Sequence, residues 1–255
     1  MIKIIGIVIL VFNTCFNWAL AQTCPQKQAD RQVLILPPTG GANSADQSLY
    51  DSLCGMGHQV SILNYQQKSG LTTDLSVHDQ LSREVLVAID QFIGLNPKPT
   101  ALVGASLGGL YASLAFSYSK TNQTEFKNLK FVNRIVLTVA GGPLWDILTF
   151  SQGEEVIKQR DLRMKAYRFT DLKQYREALL KNIFYDTQIW ATAAERSNVL
   201  MFNSTADDVV PTASQESLWN AWGKPEVVLF STGHQWTVGW VYFFYTQQIS
   251  DFLKR

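Results

Sequence analysis

From Arg31 onward the chain alternates two hydrophobic rhythms. Short continuous apolar runs are separated by longer stretches in which apolar residues return every three or four positions. This is the pattern of βαβ units, where strands buried on both faces are joined by crossover helices. Residues 33–36 form the first run, ended by Pro37 and Pro38, and residues 60–63 form the second. Residues 101–103, 131–139, 199–202 and 227–230 supply four more. A helix is expected over 44–54, stopped by Gly55 and Gly57, because glycine tolerates the left-handed backbone a helix end often takes. Asp74 or Ser76 opens a long helix whose apolar face is Leu81, Val85, Ile89 and Phe92, closed by Pro97 and Pro99. Residues 107–116 are apolar enough for a buried helix, and a last helix is expected over about 238–252.

The alternation stops between Pro143 and about residue 197. This stretch of about 55 residues is charged and aromatic, with helical spacing at 154–158 and 172–180. It is too long for a plain connection in a compact domain, so a helical insertion is expected there. The predicted fold class is therefore α/β: a mostly parallel central sheet flanked by helices, in one domain over 22–255, with a helical cap inserted at about 143–197.

The first 21 residues read as an address. Lys3 is their only charge, an apolar stretch follows, and Ala19-Leu20-Ala21 is an A-x-A cleavage site before Gln22. The apolar run is short and broken by Asn13 and Asn17, so no stable membrane insertion is expected after cleavage. The expected location is secreted or periplasmic. Without that segment the charges balance at 21 basic and 21 acidic residues, which leaves no electrostatic footprint for nucleic acid. Of three cysteines, Cys15 leaves with the signal, and Cys24 and Cys54 remain as either a disulfide or two half-buried thiols. No cysteine or histidine cluster suggests a metal.

The chemistry concentrates at Gly104-Ala105-Ser106-Leu107-Gly108, followed by Gly109. A G-x-S-x-G pattern alone is weak, but here a buried strand ends at Gly104 and an apolar helix starts after Ser106. That context turns the motif into a strand-to-helix elbow that exposes a serine hydroxyl at the positive end of a helix. The competing reading makes Ser106 a plain helix cap in a tight turn. A serine needs a base to become a nucleophile, and the chain has three histidines. His58 precedes a strand and His78 lies early in the long helix, where a solvent-facing side chain is expected. His234 follows the last strand, and parallel strands aim their C-terminal loops at one edge, so His234 is the base. Its other nitrogen requires a carboxylate from the loop after the penultimate strand. Asp207 and Asp208 compete there, and Asp207 is favoured.

The order Ser106, Asp207, His234 resembles the α/β-hydrolase superfamily in its esterase and lipase branch, and the resemblance spans nearly the whole chain after residue 21. It implies that the backbone N–H of Leu107 is one oxyanion donor and that Thr39 or Gly40 supplies the second. It also implies a cap where the insertion after Pro143 falls. The family often has His-Gly at the start of the oxyanion loop, whereas this chain reads Pro38-Thr39-Gly40-Gly41.

The expected reaction is hydrolysis of a small-molecule acyl ester, without a cofactor. An amide or thioester substrate is the alternative, with Glu154 or Glu155 as a carboxylate for a free amine, and a non-catalytic binding protein is the contrasting class. Trp145, Phe150, Tyr167, Phe169, Tyr175, Phe184, Tyr185 and Trp190 either line a lid or pack the insertion onto the core. Arg160, Arg163 and Lys165 read as a solvated helix face. Asn122 and Asn203 each begin a glycosylation sequon.

Overall fold

The computed structural model describes residue 24 and residues 29–65, 71–121, 124–187 and 191–255. The signal segment, Trp190 and the sequon at Asn122 lie outside the described residues. Six strands form one sheet in the order β2-β1-β3-β4-β5-β6. They are β1 (Gln32–Leu36), β2 (Gln59–Ile62), β3 (Thr100–Ala105), β4 (Val132–Thr138), β5 (Val199–Ser204) and β6 (Glu226–Phe230), and every pairing is parallel. Each of the six apolar runs became a strand, because side chains on both faces of β1, β3 and β5 are buried.

Helices cover the two faces and divide the core in two. On one face, α1 (Ser44–Gly55), α8 (His234–Phe244) and α9 (Thr246–Lys254) pack over Val33, Ile35, Val103 and Phe202. On the other, α2 (Val77–Leu95) and α3 (Leu107–Ser119) pack over Leu34, Leu102 and Leu137. Helix α1 is fixed at its start by a capping box: the Asn43 side chain accepts from Asp46 N while Asp46 Oδ2 accepts from Asn43 N at 3.0 Å. At α2 the expected cap is not made; Ser76 holds the N-cap position without a capping bond and instead donates to the Asp74 carboxylate at 2.8 Å.

The insertion supplies α4 (Leu144–Phe150), α5 (Glu154–Tyr167) and α6 (Leu172–Leu180), and α7 (Thr212–Ala221) follows β5. The single helix expected over 238–252 is two helices. The first starts at His234 itself, and the break falls at Tyr245, where φ is −107° and ψ is 15°. The ring of Tyr245 packs edge-on against Phe202 and Phe230 at 5.6 and 5.4 Å, contacts a continuous helix would carry past the sheet. Among the described residues no helix is long and apolar enough to cross a membrane.

Cys24 and Cys54 are joined by a disulfide with Cα atoms 5.9 Å apart, tying the segment beside β2 to the end of α1. The bridge closes a loop across a sequence separation of 30 residues. Reducing it, or Cys54→Ala, should therefore cost about 3 kcal/mol of stability, read as a lowered urea midpoint. Unchanged midpoints with and without reductant would rule this out.

Asp46 is wholly buried and its Oδ1 has no hydrogen-bond partner, so burial lifts its carboxyl from 3.8 to about 6. The folded state favours the protonated acid, so the penalty is absent below pH 3.8 and complete above about pH 6. Asp46→Asn, which cannot ionise, should gain on the wild type by up to about 3 kcal/mol between pH 4 and pH 7.5. Parallel melting curves for the two proteins across that range would show Asp46 to be irrelevant.

Candidate active site

Strand β3 ends in a backbone that few side chains tolerate. Ser106 has φ 54° and ψ −124°, outside the common region for a non-glycine residue. Its N–H donates to Thr138 O of β4 at 2.9 Å, and its carbonyl accepts from Leu110 N at 3.0 Å, which holds the turn from both sides. The flanking glycines are there for space. A Cβ on Gly104 would stand 2.4 Å from Gly108 O, and one on Gly108 would stand 2.0 Å from Leu36 O. A Cβ on Gly109 would meet that of Ala140 at 2.7 Å. The Ser106 hydroxyl caps nothing on α3, and the residue is 8% exposed at the wall of a cavity of about 390 Å³.

Leu107, Thr39 and Gly40 line the same cavity. The loop carrying Thr39 and Gly40 lies against the elbow because Gly108 packs on the carbonyls of Leu36 and Pro37. Gly40 and Gly41 have φ of 95° and 89°, so the loop turns through conformations that suit glycine. The rest of the wall is largely aliphatic, with Leu71, Leu81, Leu144, Leu148 and Val156, and also carries Thr72, His78, Glu155, Gln159 and Arg163. None of the described aromatic residues of the insertion lines it. Trp145 and Tyr175 are core, and Phe150, Tyr167 and Phe184 face solvent.

Asp207 and His234 meet at the same sheet edge. Nδ1 of His234 lies 2.7 Å from Asp207 Oδ2. Gln215 Nε2 donates to the same oxygen at 3.2 Å, and Val209 N and Val210 N both donate to Oδ1 at 2.8 Å. The two loops that present this pair are also tied together, by Thr205 N to Phe230 O at 2.9 Å and by Ser204 Oγ to Thr232 O. Asp208 is exposed, and its carbonyl accepts from Gln152 N at 2.7 Å. Among the described residues no hydrogen bond joins Ser106 to His234. The structure gathers Ser106, Leu107, Thr39 and Gly40 around the cavity and joins Asp207 to His234. Val209 and Val210 belong to both groups.

The other histidines differ in their surroundings. His58 Nε2 bonds Ser250 Oγ at 2.8 Å in the interior, and burial holds its pKa down, helped by Lys254 and Arg31. His78, expected in solvent, instead lines the cavity, and burial followed by the nearby Arg163 depresses its pKa to about 3. Arg163, expected on a solvated helix face, is fully buried, because α5 turns it inward to the carbonyls of Thr72 and Asp74. Glu154 and Glu155 are the opposite case: both face solvent and pair with Lys158 at 2.7 and 3.0 Å, so neither offers a buried carboxylate for an amine. Gln215, which sequence reasoning passed over, carries no local signal beyond its place one turn into α7.

No family model matches this chain, and no curated protein matches it. Solved structures do. The Pyrococcus furiosus esterase Pf2001 aligns over 89% of this chain and 83% of its own at 15% identity, with a TM-score of 0.56. The Pyrococcus horikoshii acylaminoacyl peptidase aligns over 90% of this chain and 37% of its own at 12% identity, TM-score 0.58. An alpha/beta hydrolase enzyme from the metagenome of Mar Chica lagoon sediments aligns over 89% and 92% at 17% identity, TM-score 0.51. With its all-parallel six-stranded sheet, its helices on both faces and these neighbours, the chain has the α/β-hydrolase fold.

Proposed function

We propose that this protein is an exported serine hydrolase that cleaves carboxylic esters through an acyl-enzyme on Ser106. One observation carries the reading: a strained, glycine-packed serine opens on an aliphatic cavity, at the edge where a histidine is held by a buried aspartate. In the neutral ring, Nδ1–H donates to Asp207, which leaves Nε2 as the acceptor for the Ser106 proton. Ser106 Oγ then attacks the ester carbonyl as His234 takes that proton, and Asp207 steadies the imidazolium. The negative oxygen meets the backbone N–H of Leu107 and that of Thr39 or Gly40. His234 returns the proton to the leaving alcohol, and water frees the acyl group by the reverse relay. The residues of this relay require no cofactor. The A-x-A segment and the paired cysteines support export to a secreted or periplasmic location.

The aliphatic lining favours an ester of an acyl chain over an aminoacyl substrate, as do the solvent-facing positions of Glu154 and Glu155. Ser106→Ala should lower hydrolysis of a p-nitrophenyl ester by at least about a thousandfold and abolish labelling by a fluorophosphonate probe. Near-wild-type turnover or labelling in that variant sinks the assignment, and an unlabelled wild type points to a binding protein. Asp207→Asn sets an amide where two backbone N–H groups and an imidazole need acceptors. It should reduce kcat by about three to four orders of magnitude while KM changes little. Asp208→Asn should leave both constants near wild type, and the reverse pattern would reassign the acid.

A further inference from the structure

The cavity wall holds a polar pair that the acyl-transfer relay does not use. His78 comes from the first turn of α2 and Arg163 from α5 in the insertion, and both line the cavity that Ser106 opens on. Arg163 has no solvent-exposed surface. Its three bonds go to neutral acceptors: Thr72 O at 3.2 Å, Asp74 O at 2.9 Å and Tyr175 Oη at 3.3 Å. Among the described residues no carboxylate lies within ion-pairing distance of it. The Asp74 carboxylate acts on it only through space and is occupied by Ser76. A buried cation with no carboxylate in contact is costly, so the fold either bears that cost or supplies an anion.

His78 reinforces the point. Its Nε2 is enclosed and, among the described residues, makes no hydrogen bond, which is uncommon for a buried polar atom. The neighbouring Arg163 helps keep the ring neutral, so the imidazole carries one N–H donor and competes with no second charge. The one acidic group in the same wall, Glu155, lies on the solvent side and is bound to Lys158 at 3.0 Å. The aliphatic surface between these groups and Ser106 suits a short methylene chain, and the polar pair suits an oxygen anion at its end.

We propose that His78 and Arg163 form a carboxylate-recognising subsite, so that the substrate class is esters whose acyl part carries a second, free carboxylate. His78 makes the contact, and Arg163 supplies the charge and positions the loop before α2. The proposal rests on the hydrolase reading for its catalytic readout but not for its binding readout, and the experiment uses both. The wild type should hydrolyse the 4-nitrophenyl half-ester of glutaric acid with at least about tenfold higher kcat/KM than 4-nitrophenyl pentanoate, with the difference in KM. His78→Leu should bring the ratio of kcat/KM for the two esters to about one, and His78→Gln, which keeps a donor, should recover part of the preference. Free glutarate should raise the melting temperature of the wild type and of Ser106→Ala but not of His78→Leu.

Equal use of the two esters by the wild type, or an equal loss on both in His78→Leu, overturns the subsite and leaves the hydrolase reading intact. Glutarate binding that depends on His78, without turnover of either ester, upholds the subsite and removes the hydrolase reading.

Discussion

The site depends on one close approach of backbones. Gly108, in the first turn of α3, lies so near the carbonyls of Leu36 and Pro37 that a single methyl would stand 2.0 Å from the first and 2.5 Å from the second. That contact sets how far α3 can descend onto the sheet, and with Gly104 against Gly108 it forces the chain at Ser106 through positive φ. The strain is held by the buried bonds to Thr138 O and Leu110 N rather than by the serine side chain. The hydroxyl is left out of the folding problem and free for chemistry. The same contact presses the loop after β1 onto the elbow, so Thr39 and Gly40 border the cavity whatever their side chains are. Pro38-Thr39-Gly40 therefore fits this position without an imidazole, because carbonyls set it.

Much of this was legible in the sequence, for a reason that also explains what was not. Strands buried on both faces must be apolar without interruption, so the six runs stood out, and parallel order then placed the loops after β3, β5 and β6 at one edge. Asp207 and Asp208 are adjacent and chemically identical, and what separates them is which one turns inward to receive Val209 N, Val210 N and Gln215. The break at Tyr245 was invisible because no glycine or proline marks it, and helical periodicity cannot report a bend that tertiary ring packing dictates. His78 and Arg163 were misplaced for a related reason. A charged or polar residue on a helix is taken to face water, and only the packing of α5 against the 72–74 loop, which draws Gln159 and Arg163 onto its carbonyls, turns this part of the wall inward.

Two buried ions in the same region are handled in opposite ways. The Asp207 carboxylate receives four donors, and its imidazole partner becomes a cation in the proposed reaction, so its charge is matched when the site works. Arg163 donates to three neutral acceptors and, among the described residues, has no carboxylate in contact. Structural arginines at helix junctions are commonly solved by a nearby acid. Here α5 places its first-turn acids, Glu154 and Glu155, on the outside with Lys158 and turns the guanidinium in. The cavity is therefore largely aliphatic, with His78 of α2 and Arg163 of α5 as a polar pair in its wall.

The insertion is bound to the segment after β5 as well as to the cavity. Gln152 N, just before α5, donates to Asp208 O at 2.7 Å, and a Cβ on Gly153 would touch Val209. Val209 and Val210 in turn hold Asp207 through their N–H groups while lining the cavity. A group that fills the cavity therefore packs against the same short segment that fixes the acid and anchors the start of α5. The wall of the cavity, the seat of the insertion and the hydrogen-bond partner of His234 all converge on residues 207–210. Such a segment tolerates little change of shape: moving Val209 outward to widen the cavity would take a hydrogen bond from Asp207. The aliphatic side chains that α4 and α5 contribute to the same wall make no such bond, so the cavity can change shape there without reaching Asp207.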